Sequence, residues 1–458
     1  MTVTDDRFSR MKPYNAGFVR KIDSRDLPPG PRWPALLQSI ALLRFRHQFI
    51  PALHKRYGDT FTIRTVPKAA PLVLFSRPEH AKEIFAGDPE IFHAGKGNAI
   101  LGPIMGEHSL LLQDSSEHRR ARKLLMPAFN GAALRGYESV VTQLAKDEIA
   151  RWTPGVPFRS LDRMNALTLE VILRVVFGVT DERRLTELRP LVNRTVDISP
   201  VVLLGWGFPF LQRFGPWKKT VENQRALDKV MYAEIAERRR AGDLHERTDV
   251  LSQLLAVGGT DRDGLSDAEL RDQLVTLLLA GHETTATALS WSLYELGRHP
   301  AALREARAAA RNGDAAHLEA VMKEAMRLHP VIPMVVRHLM EPATIGGREL
   351  PRGANVGPSI LLSHRREESF PEPESFRPAR FIEGHVAPNT WIPFGGGVRR
   401  CIGAGFSLME GVAVLREVLS AYDVSLPPGV REEPKVRNIT SVPKHGARIV
   451  VTRRETAP

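Results

Sequence analysis

The feature that most constrains the fold is a long stretch in which apolar side chains recur mostly at helical spacing, from about Ser116 to Arg327. Loops rich in proline or glycine interrupt it near residue 154, at 205–216 and at 258–264. The middle of the chain is therefore predicted to be mainly helical.

Shorter β-like runs lie on both sides of this stretch. Thr60–Thr65 and Pro71–Phe75 are rich in β-branched and aromatic residues, as strands are. After Pro330 the pattern changes to short β-like pieces, followed by one helix from Gly403 to about Ala421 and a hairpin-like segment at 447–452. We expect a mainly α fold with minor β structure.

The boundaries of the folded unit follow from proline and glycine. Residues 27–31, Leu-Pro-Pro-Gly-Pro, cannot be helical and mark the beginning of the packed body. No tandem repeat and no long linker divides the rest of the sequence. We therefore expect a polar N-terminal extension at 1–26 and a single catalytic domain at 27–458.

Membrane and compartment signals are weak. The N-terminus lacks the apolar core of a signal peptide or membrane anchor. The longest apolar stretch, 201–211, is shorter than the ~20 residues of a spanning helix. We expect a cytoplasmic protein without a transmembrane anchor; the alternative for 201–211 is contact with a membrane surface.

The net charge of +12 is compatible with nucleic acid, an anionic membrane surface or an acidic protein as partner. No dense run of Lys and Arg is interleaved with aromatic residues. The basic residues of 119–123 instead lie within a helical apolar pattern. This arrangement favours ligand or partner contacts over nucleic-acid binding.

Cys401 is the only cysteine, which excludes an intramolecular disulfide and a multi-thiolate zinc or iron–sulfur site. It follows a glycine-rich segment at 394–400 and precedes an apolar helix. The positive end of that helix is expected to stabilise a thiolate and lower the pKa of Cys401. One alternative is a small buried apolar residue. Another is a phosphate-binding loop, but the segment lacks the third glycine and follows no strand.

A second segment of interest lies inside a long helix that begins with the capping-box pattern of Ser266 and Glu269. Residues on one face of this helix are apolar until Gly281 and Thr284. The alternative is purely structural: Gly281 allows close helix packing, and the Thr284 hydroxyl bonds to the carbonyl four residues earlier. His282 and Glu283 do not form a zinc-protease motif, because the second histidine is replaced by Ala286.

Two charged patterns complete the set. Glu324 and Arg327 have the i,i+3 spacing of an ion pair, and His118 and Arg122 share a helical face at i,i+4. Taken alone, both patterns are typical of solvated helix surfaces.

In combination these segments resemble one family. The spacing Phe394-x-x-Gly397-x-Arg399-x-Cys401-x-Gly403 resembles the haem-binding signature of the cytochrome P-450 family. The resemblance implies that Cys401 is the axial thiolate ligand of the iron of haem b. It further implies that the loop binds the cofactor through Phe394, Gly395, Arg399 and Gly403, with Arg399 on a propionate.

The other segments match the family in the same order. Residues 280–285 resemble its oxygen-activating helix, which implies that Ala280 and Gly281 contact the haem and that Glu283 and Thr284 form an acid–alcohol pair for proton delivery. His282 has no catalytic role in this reading. Further propionate-binding residues implied by the resemblance are His118, Arg122 and Arg337. The implied structural cluster consists of Glu324, Arg327 and Arg380.

The resemblance also implies a triangular, single-domain fold and a reaction. One oxygen atom from O2 is inserted into a hydrophobic substrate, by hydroxylation or epoxidation, of the fatty acid, terpenoid, steroid or polyketide class. The segments expected to line the pocket are 97–109, 201–211, 331–336 and 439–442. Two alternatives are a peroxide-using haem-thiolate enzyme and a non-enzymatic haem protein that binds gas or a ligand; the pair of Glu283 and Thr284 argues against both.

Electrons are expected to come from separate proteins, because the sequence after the Cys401 loop is too short for a flavin domain. The expected donors are a ferredoxin and its NAD(P)H-dependent reductase, acting on a monomer. The cations expected to dock an acidic ferredoxin are Arg119, Arg120, Lys123 and Arg400.

Overall fold

The computed structural model describes residues 22–66, 70–196, 202, 209–257, 264–384, 386–429 and 431–454. Most of the expected extension at 1–26 lies outside these residues. The same is true of most of 201–211 and of the loop at 258–264.

The longer helices of the described residues account for most of the structure. They are α1 (Ala35–Tyr57), α2 (Pro78–Ala86), α3 (Ser115–Leu125), α4 (Gly131–Ile149), α5 (Ser160–Val175), α6 (Glu182–Val196), α7 (Gly215–Arg240), α8 (Val250–Val257), α9 (Asp267–Arg298), α10 (Pro300–Asn312), α11 (Ala315–Leu328) and α12 (Ala404–Ala421). Short helical turns cover Ser24–Asp26, Ala94–Gly97, Ala99–Leu101, Gly102–Met105, Met126–Phe129, Pro209–Arg213, Ile360–Ser363, Pro378–Phe381 and Gly397–Arg399.

The strands form one larger sheet and several small ones. They are β1 (Thr60–Thr65), β2 (Ala70–Phe75), β3 (Phe92–His93), β4 (Phe158–Arg159), β5 (Arg337–Leu339), β6 (Ala343–Ile345), β7 (Arg348–Leu350), β8 (Asn355–Pro358), β9 (Tyr422–Ser425), β10 (Pro434–Arg437), β11 (Thr440–Pro443) and β12 (Arg448–Arg453). The larger sheet has the order β1-β2-β8-β5-β3, in which only β2 and β8 pair in parallel. The others are β4-β12-β9 and the hairpins β6-β7 and β10-β11.

The predicted mainly α fold with minor β structure is confirmed. The strand predicted at 60–65 has the predicted bounds, and the one predicted at 71–75 begins at Ala70. The last segment is a strand, but the expected hairpin is wrong, since β12 lies between the distant strands β4 and β9. Within the described residues, no helix is long and apolar enough to cross a membrane.

Helix α9 runs through the centre of the molecule and packs against α5, α7, α11 and α12. Its start is fixed by the predicted capping box: the Glu269 N–H donates to Ser266 Oγ at 3.2 Å, and the Ser266 N–H donates to Glu269 Oε2 at 2.8 Å. Most of the helix is buried on all sides, as expected for a helix inside a large core. Residue 280, which is exposed, and residues 279, 281 and 284, which are only partly buried, therefore stand out.

Candidate functional site

The loop that carries Cys401 is held by its own backbone and by α2. The Cys401 N–H donates to the Phe394 carbonyl at 2.9 Å, which closes the loop before α12 begins. Gly397 has a φ of +63°, and a Cβ there would lie 2.0 Å from the carbonyl oxygen of Phe85. Gly395 has a φ of +66°. These glycines thus allow the turn and the close approach of α2.

The predicted lowering of the Cys401 pKa is wrong. Burial raises the pKa of this thiol, and the Gly403 N–H, Arg122 and Arg400 offset the effect only in part. The residue nevertheless has solvent-exposed surface. A thiolate here therefore needs additional positive charge, which a bound metal ion would supply.

Several basic side chains gather near this thiol, on α3, on β5 and on the Cys401 loop. Burial first, and then Arg399 and Arg122, lowers the pKa of His118 to about 4. Burial and Arg399 lower the pKa of Arg337 to about 10. Arg122 also acts electrostatically on Cys401, so the thiol and the cationic groups share one region of the molecule.

One carboxylate, that of Asp114, opposes this charge, and it already has several partners. It accepts hydrogen bonds from Arg399 and from the backbone N–H groups of Gly95 and Lys96. Arg337 donates to the Val336 carbonyl at 3.0 Å, and no carboxylate of the described residues lies within ion-pair distance of it. Excess buried positive charge of this kind fits an anionic ligand that carries carboxylates.

The predicted oxygen-activating segment of α9 combines packing contacts with an accessible face. A Cβ at Gly281 would lie 2.7 Å from Ile172 Cδ1 on α5, and Thr284 Oγ1 donates to the Ala280 carbonyl at 2.6 Å. Both structural alternatives drawn from the sequence are therefore present. Ala280, Gly281 and Thr284 also retain accessible surface, whereas the neighbouring residues 282, 283 and 285 are buried.

His282 and Glu283 point to different neighbours. His282 lies with Nε2 3.0 Å from the Asn165 carbonyl, and burial lowers its pKa to about 4. Glu283 Oε1 lies 3.2 Å from Arg437 Nη1, in an ion pair in which the Glu283 side chain is 8% exposed. Arg437 was not found from the sequence, although it lies just before the segment predicted to line the pocket.

The β10-β11 hairpin, in which Arg437 is the last residue of β10, is held by hydrogen bonds on two sides. Arg46 of α1 donates to the carbonyls of Asn438 at 2.7 Å and Ile439 at 3.0 Å. On the other side, the Ser441 N–H donates to the Val331 carbonyl at 2.8 Å. The position of Arg437 beside Glu283 is therefore set by contacts that are distant in sequence.

The segments predicted to line a pocket meet around α9. Thr276 of α9 donates to Ser109 Oγ at 2.7 Å, and a Cβ at Gly97 would lie 3.1 Å from the Val336 carbonyl. The contact between Ser441 and Val331 joins the other two described segments. Val202 packs with Ile104, while most of 201–211 lies outside the described residues.

Glu324, Arg327 and Arg380 are brought together as the sequence predicted. Both side chains of the Glu324–Arg327 pair are fully buried, with two hydrogen bonds of 2.8 and 2.9 Å between them. Arg380 Nε donates to Glu324 Oε1 at 3.0 Å. Arg327 also donates to three backbone carbonyls, those of His364, Pro373 and Ser375.

This cluster is connected to the Cys401 loop. The His364 whose carbonyl accepts from Arg327 uses its Nε2 to accept the Ile392 N–H at 2.9 Å. Trp391 donates to the Lys323 carbonyl at 3.2 Å and makes an edge contact with Phe394, at 5.8 Å between ring centroids. Two sets of contacts, one through His364 and one through Trp391, thus connect α11 to the start of the Cys401 loop.

The cations expected to dock a redox partner are not equivalent. Arg120 pairs with Glu269 at 2.6 Å and donates to the Gly264 carbonyl, and Arg119 lies 3.5 Å from Glu90. Lys123 and Arg400 are exposed. Arg120 therefore supports the start of α9 as well as contributing surface charge.

Comparison with known proteins gives a consistent result. Residues 28–451 match the family model described as Cytochrome P450. Among similar proteins, cytochrome P450 135A1 of Mycobacterium tuberculosis is 54% identical over 92% of this chain and 94% of its own length. Cytochrome P450 135B1 of Mycobacterium bovis is 41% identical over 93% and 92%. The solved structure of retinoic acid bound cyanobacterial CYP120A1 has a TM-score of 0.82 and 24% identity, and covers 93% of this chain and 99% of that chain.

The buried cluster yields a prediction for stability. Glu324→Ala leaves two buried guanidinium groups without their carboxylate, which typically costs about 3–5 kcal/mol. We expect the free energy of unfolding in denaturant to fall by about that amount. The control is Glu319→Ala on the same helix, whose pair with Lys323 is partly exposed and worth about 0–1 kcal/mol. Equal stability of the two variants would contradict the role of the cluster.

Proposed function

Since the chain belongs to the cytochrome P450 family and is therefore a haem-thiolate monooxygenase, we propose that Cys401 is its axial thiolate and that Glu283 and Thr284 guide proton delivery. The observation that carries the proposal is the cluster formed by the sole cysteine with His118, Arg337 and Arg399. The thiol favours a cation beside it, and the guanidinium groups favour carboxylates.

Haem b has this distribution of charge, with iron at the centre and two propionates at its edge. In the proposal, Cys401 holds the iron. The groups that hold the propionates are His118, Arg122, Arg337 and Arg399. The remaining contacts come from Phe394, Gly395 and Gly403 of the loop and from Ala280 and Gly281 of α9. When bound, haem supplies the activation of O2 and the insertion of one oxygen atom into the substrate.

The residues of the chain control proton movement. Thr284 gives its hydroxyl hydrogen to the Ala280 carbonyl, so that its oxygen is left to accept a hydrogen bond. That geometry suits a hydroxyl that fixes a proton-carrying water. Glu283 directly precedes Thr284 in the sequence. Its carboxylate exchanges protons, and Arg437 keeps that carboxylate in place.

We propose a hydrophobic substrate of the fatty acid, terpenoid, steroid or polyketide class. Apolar side chains of the converging segments support this, among them Leu101, Ile104 and Val331. The solved CYP120A1 structure has retinoic acid bound, so this fold accommodates an apolar ligand in that protein. Binding spectra against a panel of apolar compounds identify the substrate used in the tests below.

We further propose that a ferredoxin and its NAD(P)H-dependent reductase supply electrons to a monomeric, cytoplasmic enzyme. The exposed cations Lys123 and Arg400 support the docking of an acidic donor, because Arg400 precedes Cys401 and Lys123 follows Arg122, which acts electrostatically on Cys401. A peroxide-using enzyme is the second candidate. Product formation with reduced ferredoxin and O2, but not with peroxide alone, favours the first.

The first prediction from the proposed function concerns Thr284. Thr284→Ala removes the hydroxyl but none of the groups proposed to hold the cofactor, so haem content and substrate binding remain close to wild type. The amount of product per NAD(P)H consumed should fall several-fold, with the difference recovered as peroxide or water. We call the amount of product per NAD(P)H consumed the coupling. Thr284→Ser keeps a hydroxyl and should restore much of it. Unchanged coupling in Thr284→Ala would contradict the role.

The second prediction concerns Arg437. Arg437→Gln removes the positive charge beside a nearly buried carboxylate, so that Glu283 loses the ion pair that holds its side chain in place. Coupling should fall as it does in Glu283→Gln, whereas Arg437→Lys should recover part of it. The control is Lys435→Gln on the same strand, where the side chain is exposed. If Arg437→Gln and Lys435→Gln couple equally well, the ion pair has no part in proton delivery.

The third prediction concerns electron transfer. Attraction between exposed charges falls with ionic strength, so the rate of first-electron transfer from an acidic ferredoxin should drop as salt is added. Lys123→Glu should lower it further at low salt, whereas the exposed Arg311→Glu at the end of α10 should not. Arg120→Glu is unsuitable, because it also breaks the pair with Glu269. Reduction that is insensitive to salt and to Lys123→Glu would reject this docking surface.

A further inference from the structure

The first half of α1 turns its apolar side outward. Five large apolar side chains, which we call the apolar face of α1, are between 46% and 58% exposed: Trp33, Leu36, Leu37, Ile40 and Phe45. All of these except Leu36 line an open groove of about 460 Å³, together with Pro34 and Ala41. Their spacing places Leu36, Leu37 and Ile40 on one side of the helix.

The inward side of the same segment is polar. Gln38 is fully buried, donates to the Trp33 carbonyl at 2.7 Å and accepts the Arg64 N–H at 2.8 Å. Ser39 accepts the Val66 N–H at 2.9 Å. The amphipathic pattern of this part of the chain is therefore inverted with respect to a helix that faces water.

The kink at Phe45 maintains this arrangement. Phe45 has the non-helical dihedral angles φ −128° and ψ 25°, and the next residue, Arg46, turns inward to the carbonyls of Asn438 and Ile439. The buried contacts of Arg46 fix the helix at that point. The apolar face is thus held outward by hydrogen bonds to the body of the protein.

The segment that carries the apolar face has charge of one sign, with Asp26 just before it and Asp59 just after it, and Asp59 is paired with Arg77 and Arg366. Residues 27–58 contain no Asp or Glu, but include Arg32, Arg44, Lys55 and Arg56, all exposed. The elements packed against α1 add no carboxylate either: β1 contributes Arg64, β10 contributes Lys435 and Arg437, and Ile360–Ser363 is uncharged.

We propose that the apolar face of α1 binds to an anionic lipid surface. Leu36, Leu37 and Ile40 enter the boundary between headgroups and acyl chains, while Arg32 and Arg44 contact lipid phosphates. A second copy of the chain is a poor occupant, because a symmetric contact through this face would bring like charges together. The contact is peripheral, since no helix of the described residues can span a bilayer.

The test uses the full-length haem-loaded protein and vesicles of phosphatidylcholine, with or without about one-third phosphatidylglycerol. We expect the protein to sediment with the anionic vesicles and to be released by salt, because the attraction to the surface is screened within about a Debye length. Leu36→Gln/Leu37→Gln/Ile40→Gln should weaken partitioning by about tenfold or more. These side chains are exposed, so haem content and melting temperature serve as the check on folding.

Two controls distinguish binding through the apolar face of α1 from nonspecific adsorption to the vesicles. Val156→Gln/Val257→Gln/Ile382→Gln removes three similarly exposed apolar side chains from other elements and should leave partitioning unchanged. Arg32→Glu/Arg44→Glu should reduce binding to anionic vesicles, whereas Arg311→Glu/Arg348→Glu should not.

Three results would overturn the proposal. The first is a protein that stays in the supernatant with anionic vesicles at low salt. The second is equal partitioning of the wild type and the α1 triple variant. The third is a wild-type dimer in sedimentation equilibrium that the α1 triple variant converts to monomer, which would assign the face to a second copy.

Discussion

The structure depends on a fully buried carboxylate, that of Glu324, held between two guanidinium groups. Burying charge is costly unless every partner is present, and here Arg327, Arg380 and the Arg377 N–H all donate to it. The remaining guanidinium hydrogens bond to carbonyls between residues 364 and 375. Satisfying one charge therefore fixes α11 against an irregular segment, and contacts of His364 and Trp391 connect this cluster to the start of the Cys401 loop.

The fixed loop creates two electrostatic demands that a single ligand meets. Burial raises the pKa of the Cys401 thiol, and the Gly403 N–H, Arg122 and Arg400 offset this only in part. In the same region, Asp114 is the one carboxylate of the described residues that opposes the positive charge of Arg337 and Arg399. In our proposal, a group with a metal ion at its centre and carboxylates at its edge would satisfy both, in agreement with the haem that the family implies.

Sequence reasoning succeeded where local spacing carries the information and failed where distant segments meet. The capping box of α9 and the strand at 60–65 depend on neighbours in sequence, and both have the predicted form. The contact between Arg437 and Glu283 could not be inferred in this way, since the two residues are 154 positions apart in the sequence. The predicted lowering of the Cys401 pKa was wrong because a helix terminus can be inferred from a sequence, whereas the burial of the thiol cannot. The outward apolar face of α1 was missed for a similar reason, as only tertiary contacts show that Gln38 and Ser39 point inward.

The central claim is that Cys401 provides a thiolate to haem iron, and the absorption spectrum of the reduced carbon monoxide complex tests it most directly. The wild-type protein should show the strongly red-shifted band of thiolate-ligated haem, and Cys401→Ser and Cys401→His should both lack it. No other cysteine exists to replace the ligand. Retention of the band in either variant, or its absence from the haem-loaded wild type, would contradict the account.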